Sequence, residues 1–267
     1  MSGKVYLVGA GPGDPELITV KARRLLRSAD AVLHDDLVAP EILALVSSRA
    51  RVQNVGKRCG RKSVRQEEIN FLMIALASSG KRVVRLKGGD PLIFGRSGEE
   101  IDALRRANIE YEIVPGVTSA LGAAAAAGIP LTQRGLASTL ILTAGHLAEG
   151  RKRTDWSKFS SSDSTLVVYM PGHGYDELAD KLTAAGFASE TPVAVISRAT
   201  TPQQKIHRTN LAGLLQSPIL PAPSLIVVGE VVNLSGRRLE TEFSNGLIPQ
   251  TAFSLNQDAR EFDEVRP

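Results

Sequence analysis

Two glycine turns carry the first signs of chemistry. The run Val83-Val84-Arg85-Leu86-Lys87-Gly88-Gly89-Asp90-Pro91 empties an apolar segment into paired glycines, an acid and a proline. Glycine allows backbone to approach a ligand closely, and ligands of parallel sheets sit at the carboxyl ends of strands. Val114-Pro115-Gly116-Val117-Thr118-Ser119 repeats the plan of strand, tight turn and helix start, so exposed amides and the Thr118 hydroxyl can meet a polar ligand. The opening Gly9-Ala10-Gly11-Pro12-Gly13-Asp14-Pro15 invites a dinucleotide-binding reading but fits it poorly. Asp14 stands at the sixth position, and Pro12 and Pro15 remove two backbone donors from the turn.

Titratable residues gather around the same turns. Asp35 and Lys57 each follow a predicted strand, and Arg96 follows the loop after Gly88-Gly89, so all three should converge on one crevice at the strands' carboxyl ends. Arg49, Arg51, Lys57, Arg58, Arg61, Lys62 and Arg65 form a basic stretch with no acid among them. It reads either as a solvated face or as an attractor of an anionic substrate. The four histidines, His34, His146, His173 and His207, show neither H-x-x-x-H spacing nor pairing with cysteine, so no metal is expected.

The elements that must position these residues alternate short apolar runs with longer amphipathic ones, the pattern of parallel strands linked by helices. Strands are expected at Val5 to Val8, Ala31 to Leu33, Val52 to Val55, Val83 to Leu86 and Ile113 to Val114. A helix from Gln66 to Ser79 should bury Ile69, Leu72, Met73 and Leu76, with Ser63 and Gln66 as a capping pair and Gly80 as its stop. A second should run from Gly98 to Asn108, and Ala123 to Ala127 reads as a small-residue helix allowing close packing. Pro130 and Gly135 punctuate a break, which divides the chain into an α/β domain at 1–130 and a second at 131–243. In the second, strands are expected at Leu140 to Thr143, Leu166 to Met170, Val193 to Ile196 and Leu225 to Val232, in a mixed sheet. Residues 244–267 turn polar and should fray.

Composition narrows the class. At 267 residues and 43% hydrophobic content the chain can bury a substantial core. The 32 Lys plus Arg against 28 Asp plus Glu leave a net charge of only +4, short of the strongly basic face of nucleic-acid binders. One cysteine, Cys59, cannot form an intramolecular disulfide, which fits a reducing compartment. No charged-then-apolar leader opens the sequence and no apolar run approaches a membrane span, so a cytoplasmic protein is expected.

Taken in order, GAGPGDPELIT, the Asp35 and Leu37 of HDDLV, VGKRCG with QEEIN, VVRLKGGDP with IFGR, PGVTSA, GIPLTQR, TAGH, DW and LVVYM closely resemble the tetrapyrrole methyltransferase superfamily. Within it they resemble the uroporphyrinogen-III C-methyltransferases, over about residues 3 to 240. The sequence departs from the usual pattern at His34, Leu92, Ser97, Gln133 and Pro171. The resemblance implies two α/β domains, the first sheet mainly parallel and the second mixed, with a cofactor cleft between them. It implies S-adenosylmethionine as methyl donor, S-adenosylhomocysteine as product, and two transfers to uroporphyrinogen III giving precorrin-2. It also implies a homodimer and, for this length, a methyltransferase without dehydrogenase-chelatase domains.

Carried over by position, the cofactor would meet Pro12, Gly88, Gly89, Asp90, Ile93, Thr118 and Ser119 on one side, with Met170 and Ala199 on the other. Asp35 becomes the candidate proton acceptor and Lys57 the candidate donor. Arg96 matches a position proposed as catalytic, although its guanidinium is better suited to clamping a substrate carboxylate with Glu99 orienting it. Arg134 and His146 would be further substrate contacts. A precorrin methyltransferase, a non-catalytic anion-binding module and a nicotinamide-dependent oxidoreductase stay open as alternatives.

Overall fold

Every apolar run expected in the first half is a strand followed by a helix, and all five strands are parallel. The computed structural model describes residues 3–56, 64–145, 155–159, 163–172 and 174–235. In chain order they form β1 (Lys4–Gly9), α1 (Val20–Ser28), β2 (Ala31–His34), α2 (Pro40–Leu43), β3 (Arg51–Asn54), α3 (Gln66–Ser78), β4 (Arg82–Lys87), α4 (Ser97–Arg106), β5 (Glu110–Val114) and α5 (Ser119–Ala127). The strand order is β3-β2-β4-β1-β5. Successive strand residues point to opposite faces. Val8, Val32, Val84 and Leu86 therefore pack on Leu25 and Leu26 of α1 and Ile42 of α2, while Val5, Leu7, Leu33 and Val83 pack on Ile69 and Met73 of α3 and Leu104 of α4. Burial on both faces is why these strands read as continuous apolar runs rather than alternating ones.

The second sheet comprises β6 (Thr139–Ala144), β7 (Ser164–Tyr169), β8 (Pro192–Ser197), β9 (Lys205–Asn210) and β10 (Ser224–Val228), with α6 (Asp176–Ala184) between β7 and β8. Its order is β6-β7-β10-β8-β9, with β6 parallel to β7 and the remaining pairs antiparallel. The sheet is mixed, as expected. One face is covered by α6, through Leu178 and Leu182. The other is covered by α5, whose Ala120, Ala123, Ala124 and Ala127 pack against Val167, Ala194, Ile196 and Val227. Thus α5 precedes the break at Pro130 and Gly135 in sequence, yet packs on the sheet that follows it.

Three details differ from the sequence expectation. The strand starting near Leu225 ends at Val228 instead of Val232, because Gly229, at φ 137°, turns the chain into a 3-10 helix over Glu230–Leu234. The buried Val231 and Val232 belong to that turn. Strand β9 was not expected, since its sequence KIHRTN is half-exposed and carries no apolar signal. The N-cap of α3 is Arg65, whose backbone N–H donates to Glu68 Oε2 (3.4 Å), and Ser63 lies outside the described residues. Residues 244–267 also lie outside them.

Candidate functional site

The carboxyl ends of β1, β4 and β5 bring the three glycine turns into one place. Strands β1 and β4 are neighbours, but the helices that follow them cover opposite faces, which opens a crevice between their ends. Across it Gly11 and Gly89 pair, the Gly11 amide donating to the Gly89 carbonyl (3.1 Å) and the Gly89 amide to the Gly11 carbonyl (2.8 Å). The third turn packs against them so closely that a Cβ at Gly116 would lie 2.4 Å from the Gly89 oxygen. No side chain fits there. Asp90 ties these turns together, with Oδ1 accepting from the Leu92 amide (2.8 Å) and Oδ2 from the Gly116 amide (3.0 Å). Its carboxylate is thus a brace for the loops.

A cleft of about 160 Å³ lies over these turns, lined by Pro12, Gly88, Gly89, Asp90, Ile93, Thr118, Ser119 and Met170. Those are eight of the nine residues to which the resemblance gave the cofactor. The ninth, Ala199, packs against the core of the second sheet, while its neighbours Arg198 and Thr200 line a wider recess of about 700 Å³ that shares Pro12, Leu37 and Pro223 with the cleft. Thr200 Oγ1 accepts from the Asp14 amide (3.1 Å), linking the loop after β8 to the loop after β1. Phe94, Arg96, Met170, Arg198 and Thr200 all have left-handed backbone, φ 48–63°. Such conformations cost about 1–3 kcal/mol each and gather where loops are held for function.

Tyr169, the last residue of β7, crosses from the second sheet to the start of α5. Its hydroxyl accepts from the Ala120 amide (3.0 Å) and lies 2.6 Å from Thr118 Oγ1, and its ring sits 4.9 Å from that of Phe94. A tyrosine thereby caps a helix that has no side-chain cap of its own. Tyr169→Phe should destabilise the fold by about 1–3 kcal/mol, the cost of leaving buried partners unmatched. Urea denaturation measures this, and an unchanged midpoint would show that the hydroxyl is not needed.

Beneath the cleft lie four charges. Arg85 Nη2 donates to Asp35 Oδ1 (2.5 Å), Arg85 Nε to Glu100 Oε1 (2.9 Å) and Lys87 Nζ to Glu100 Oε2 (2.8 Å). The Glu100 side chain is 0% exposed, Lys87 3% and Arg85 4%, whereas Asp35 is 28% exposed. Asp35 is therefore where the network meets the cleft, which both it and Lys87 line. Burial pushes the Lys87 ammonium below its ordinary value, although the Glu100 carboxylate opposes that shift.

The remaining expected residues are less gathered. Arg96 forms a two-pronged pair with Glu99, through Nε to Oε1 (2.8 Å) and Nη2 to Oε2 (2.7 Å), as an orienting role for Glu99 requires. The hydrogen bonds to Glu99 raise the Arg96 guanidinium further above its already high value, which argues against its acting as a base. Arg134 is exposed in the turn where Gln133 and Ala137 exchange backbone hydrogen bonds, and it lines neither recess. Lys57 and His146 lie outside the described residues. Ser97, one of the departures from the family pattern, is buried and its hydroxyl donates to the Pro91 carbonyl, closing the loop between β4 and α4. Sequence reasoning missed Tyr169 and the group Arg85, Lys87 and Glu100. The available signal was two cations two residues apart, on one face of a strand whose neighbouring residues Val83, Val84 and Leu86 are apolar. Among the described residues no cluster of His, Cys, Asp or Glu could hold a metal ion, and no helix is long and apolar enough to cross a membrane.

Known proteins resemble this chain in sequence and fold. The family model for tetrapyrrole (corrin/porphyrin) methylases matches residues 4–215. Siroheme synthases of Nitrosococcus oceani and Hahella chejuensis are 48% and 46% identical over 235 and 239 residues, covering 87% and 88% of this chain. The chain spans about half the length of these curated relatives, 50% and 51%. The crystal structure of a uroporphyrin-III C-methyl transferase from Thermus thermophilus, complexed with S-adenyl homocysteine, is 42% identical at a TM-score of 0.76, covering 87% of this chain and 100% of that one. A cobalt precorrin-4 methyltransferase is 34% identical at a TM-score of 0.75, covering 86% of this chain and 95% of that one. With a family match over most of its length and a similar protein covered from end to end, this chain belongs to the tetrapyrrole (corrin/porphyrin) methylase family.

Proposed function

We propose that this protein methylates uroporphyrinogen III at C2 and then C7, using S-adenosylmethionine and giving precorrin-2. The observation that carries the reading is the glycine-walled cleft at the ends of β1, β4 and β5, in a chain that aligns with the whole of a protein crystallised with S-adenyl homocysteine. The cleft suits such a group, because Gly89 adopts φ 66° and its missing Cβ leaves open the space facing Ser119 and Thr118. When bound, S-adenosylmethionine supplies an electrophilic methyl on sulfur. Each transfer forms a carbon–carbon bond, breaks the carbon–sulfur bond, leaves a neutral thioether and places one positive charge on the ring. Loss of one ring proton restores neutrality.

The chain's own residues then divide the work. The turns at Gly11, Gly89 and Gly116 hold the cofactor and keep water from the reacting carbon. Asp35 accepts the ring proton; where Lys57, as proton donor, protonates another ring atom, a second ring proton leaves to solvent, so that each transfer still releases one proton net. Arg96, oriented by Glu99, clamps an acetate or propionate of the substrate, and Arg134 and His146 add further contacts. We place the enzyme in the cytoplasm as a homodimer, supplying siroheme, cobalamin or haem d1 synthesis. A precorrin methyltransferase acting at another carbon is the second reading, favoured by the similarity to the cobalt precorrin-4 enzyme. Mass analysis of the product from purified protein, S-adenosylmethionine and uroporphyrinogen III should show two added methyl groups. One stable methyl or none would reject the assignment.

A further inference from the structure

We propose that Arg85, held from behind by Glu100, is a positioning residue that aims the Asp35 carboxylate into the cleft. The inference rests on the reading of Asp35 as proton acceptor and adds what holds that acceptor in place. Asp35 follows directly on β2, and its amide donates to the Leu86 carbonyl of β4 (3.2 Å), so its backbone is fixed by the sheet. His34 Nδ1 donates to the Asp35 carbonyl (3.0 Å), fixing the other side of the residue. Its side chain is left to Arg85, the strand partner of Leu33.

All three nitrogens of the Arg85 guanidinium are engaged. Nε bonds Glu100, Nη1 donates to the carbonyls of Leu33 (3.4 Å) and Leu86 (3.2 Å), and Nη2 bonds Asp35. A planar fork satisfied at every nitrogen has one orientation, and it presents Nη2 to Asp35. Glu100 completes the support by receiving Lys87 Nζ and, at 3.4 Å, Gln66 Nε2, so this carboxylate cannot swing away from Arg85. Two cations and two anions balance, and of the two carboxylates only Asp35 reaches the cleft, where Lys87 also forms part of the wall. A residue placed only for stability needs no such aim at the cleft. A lysine at position 85 would keep the charge but could not reach both carboxylates.

A double-mutant cycle separates positioning from general support, because residues that act through one another are not additive. Single-turnover methylation should slow about a hundredfold in Arg85→Gln and about tenfold in Arg85→Lys, with S-adenosylhomocysteine affinity within about threefold of the parent. In an Asp35→Asn background, Arg85→Gln should slow the residual rate by less than about threefold. An equal loss with and without Asp35, or cofactor affinity falling in step with rate, would overturn the proposal. Should Arg85→Gln fail to fold, Arg85→Lys carries the same cycle. The contact is also read without substrate, since urea unfolding of the same four proteins should show Asp35 and Arg85 coupled by at least about fivefold in the unfolding equilibrium. No coupling overturns the inference whatever the substrate, whereas a coupled pair in an enzyme that leaves uroporphyrinogen III unmethylated overturns only the functional reading.

Discussion

Gly89→Val should fold yet lose S-adenosylhomocysteine binding by more than about a thousandfold, or ~4 kcal/mol. Two effects combine. At φ 66° a β-branched residue is strained, so the turn that bridges Gly11 would shift. In addition the new Cβ would lie 3.4 to 3.8 Å from Ser119 and Thr118, and the two methyls beyond it would crowd the wall of the cleft. Position 89 is a surface of that cleft, and a Cβ there meets Ser119 and Thr118 at no less than van der Waals distance, which is why the chain should still fold. Calorimetric titration with S-adenosylhomocysteine reads the loss, and near-native affinity would make this turn merely structural.

The second large effect concerns stability. Glu100→Leu removes the shared anion and leaves Arg85 and Lys87 buried with Asp35 alone, at a cost of about 3–5 kcal/mol. For a domain of this size that lowers the melting temperature by about 10 °C or more. The loss should also depend on pH. Burial already holds Lys87 below its unfolded value of 10.5, so between the two values the unfolded chain binds the extra proton and stability rises with pH. Without Glu100 the main influence raising the Lys87 value is gone, and the window extends to lower pH. The variant should therefore recover part of its deficit between pH 7 and pH 9. Equal deficits at both pH values in urea unfolding would show that Lys87 is not the group responsible.

Much of this architecture was legible because the inner strands of the first sheet, β1, β2 and β4, are buried on both faces and declare themselves as apolar runs. The glycine turns were legible for a related reason. Gly9 and Gly116 meet backbone to backbone against the Gly89 carbonyl, a contact that leaves no room for a Cβ at either position, while Gly89 is called for by its φ of 66°. What escaped were relations between distant positions. Glu100 lies on a helix 15 residues from Arg85 and 13 from Lys87, and no local pattern announces that all three share one buried site. Tyr169 looked like the end of an apolar strand, and its use as a cap for α5 depends on how the second sheet meets that helix. Asp90 lines the cleft, and its further use as a brace, each oxygen accepting from a backbone amide of a different loop, is another relation that no local pattern announces. Strand β9 is an edge strand, and half-exposed edges need no apolar signal at all.

The alanine face of α5 bears on the width of the cleft. Ala120, Ala123, Ala124 and Ala127 meet the second sheet with single methyl groups, and on the same helix Gly122 is pressed so closely against Pro12 that a Cβ there would lie 2.5 Å from the ring. Methyl groups have no rotamers to exchange, so this helix is a shim of fixed thickness between the loop after β1 and the sheet whose strand β7 ends at Tyr169 and leads into Met170. Thickening it by even one larger side chain would wedge those two walls apart, and a methyl donor would then be held at the wrong distance from the carbon it must reach.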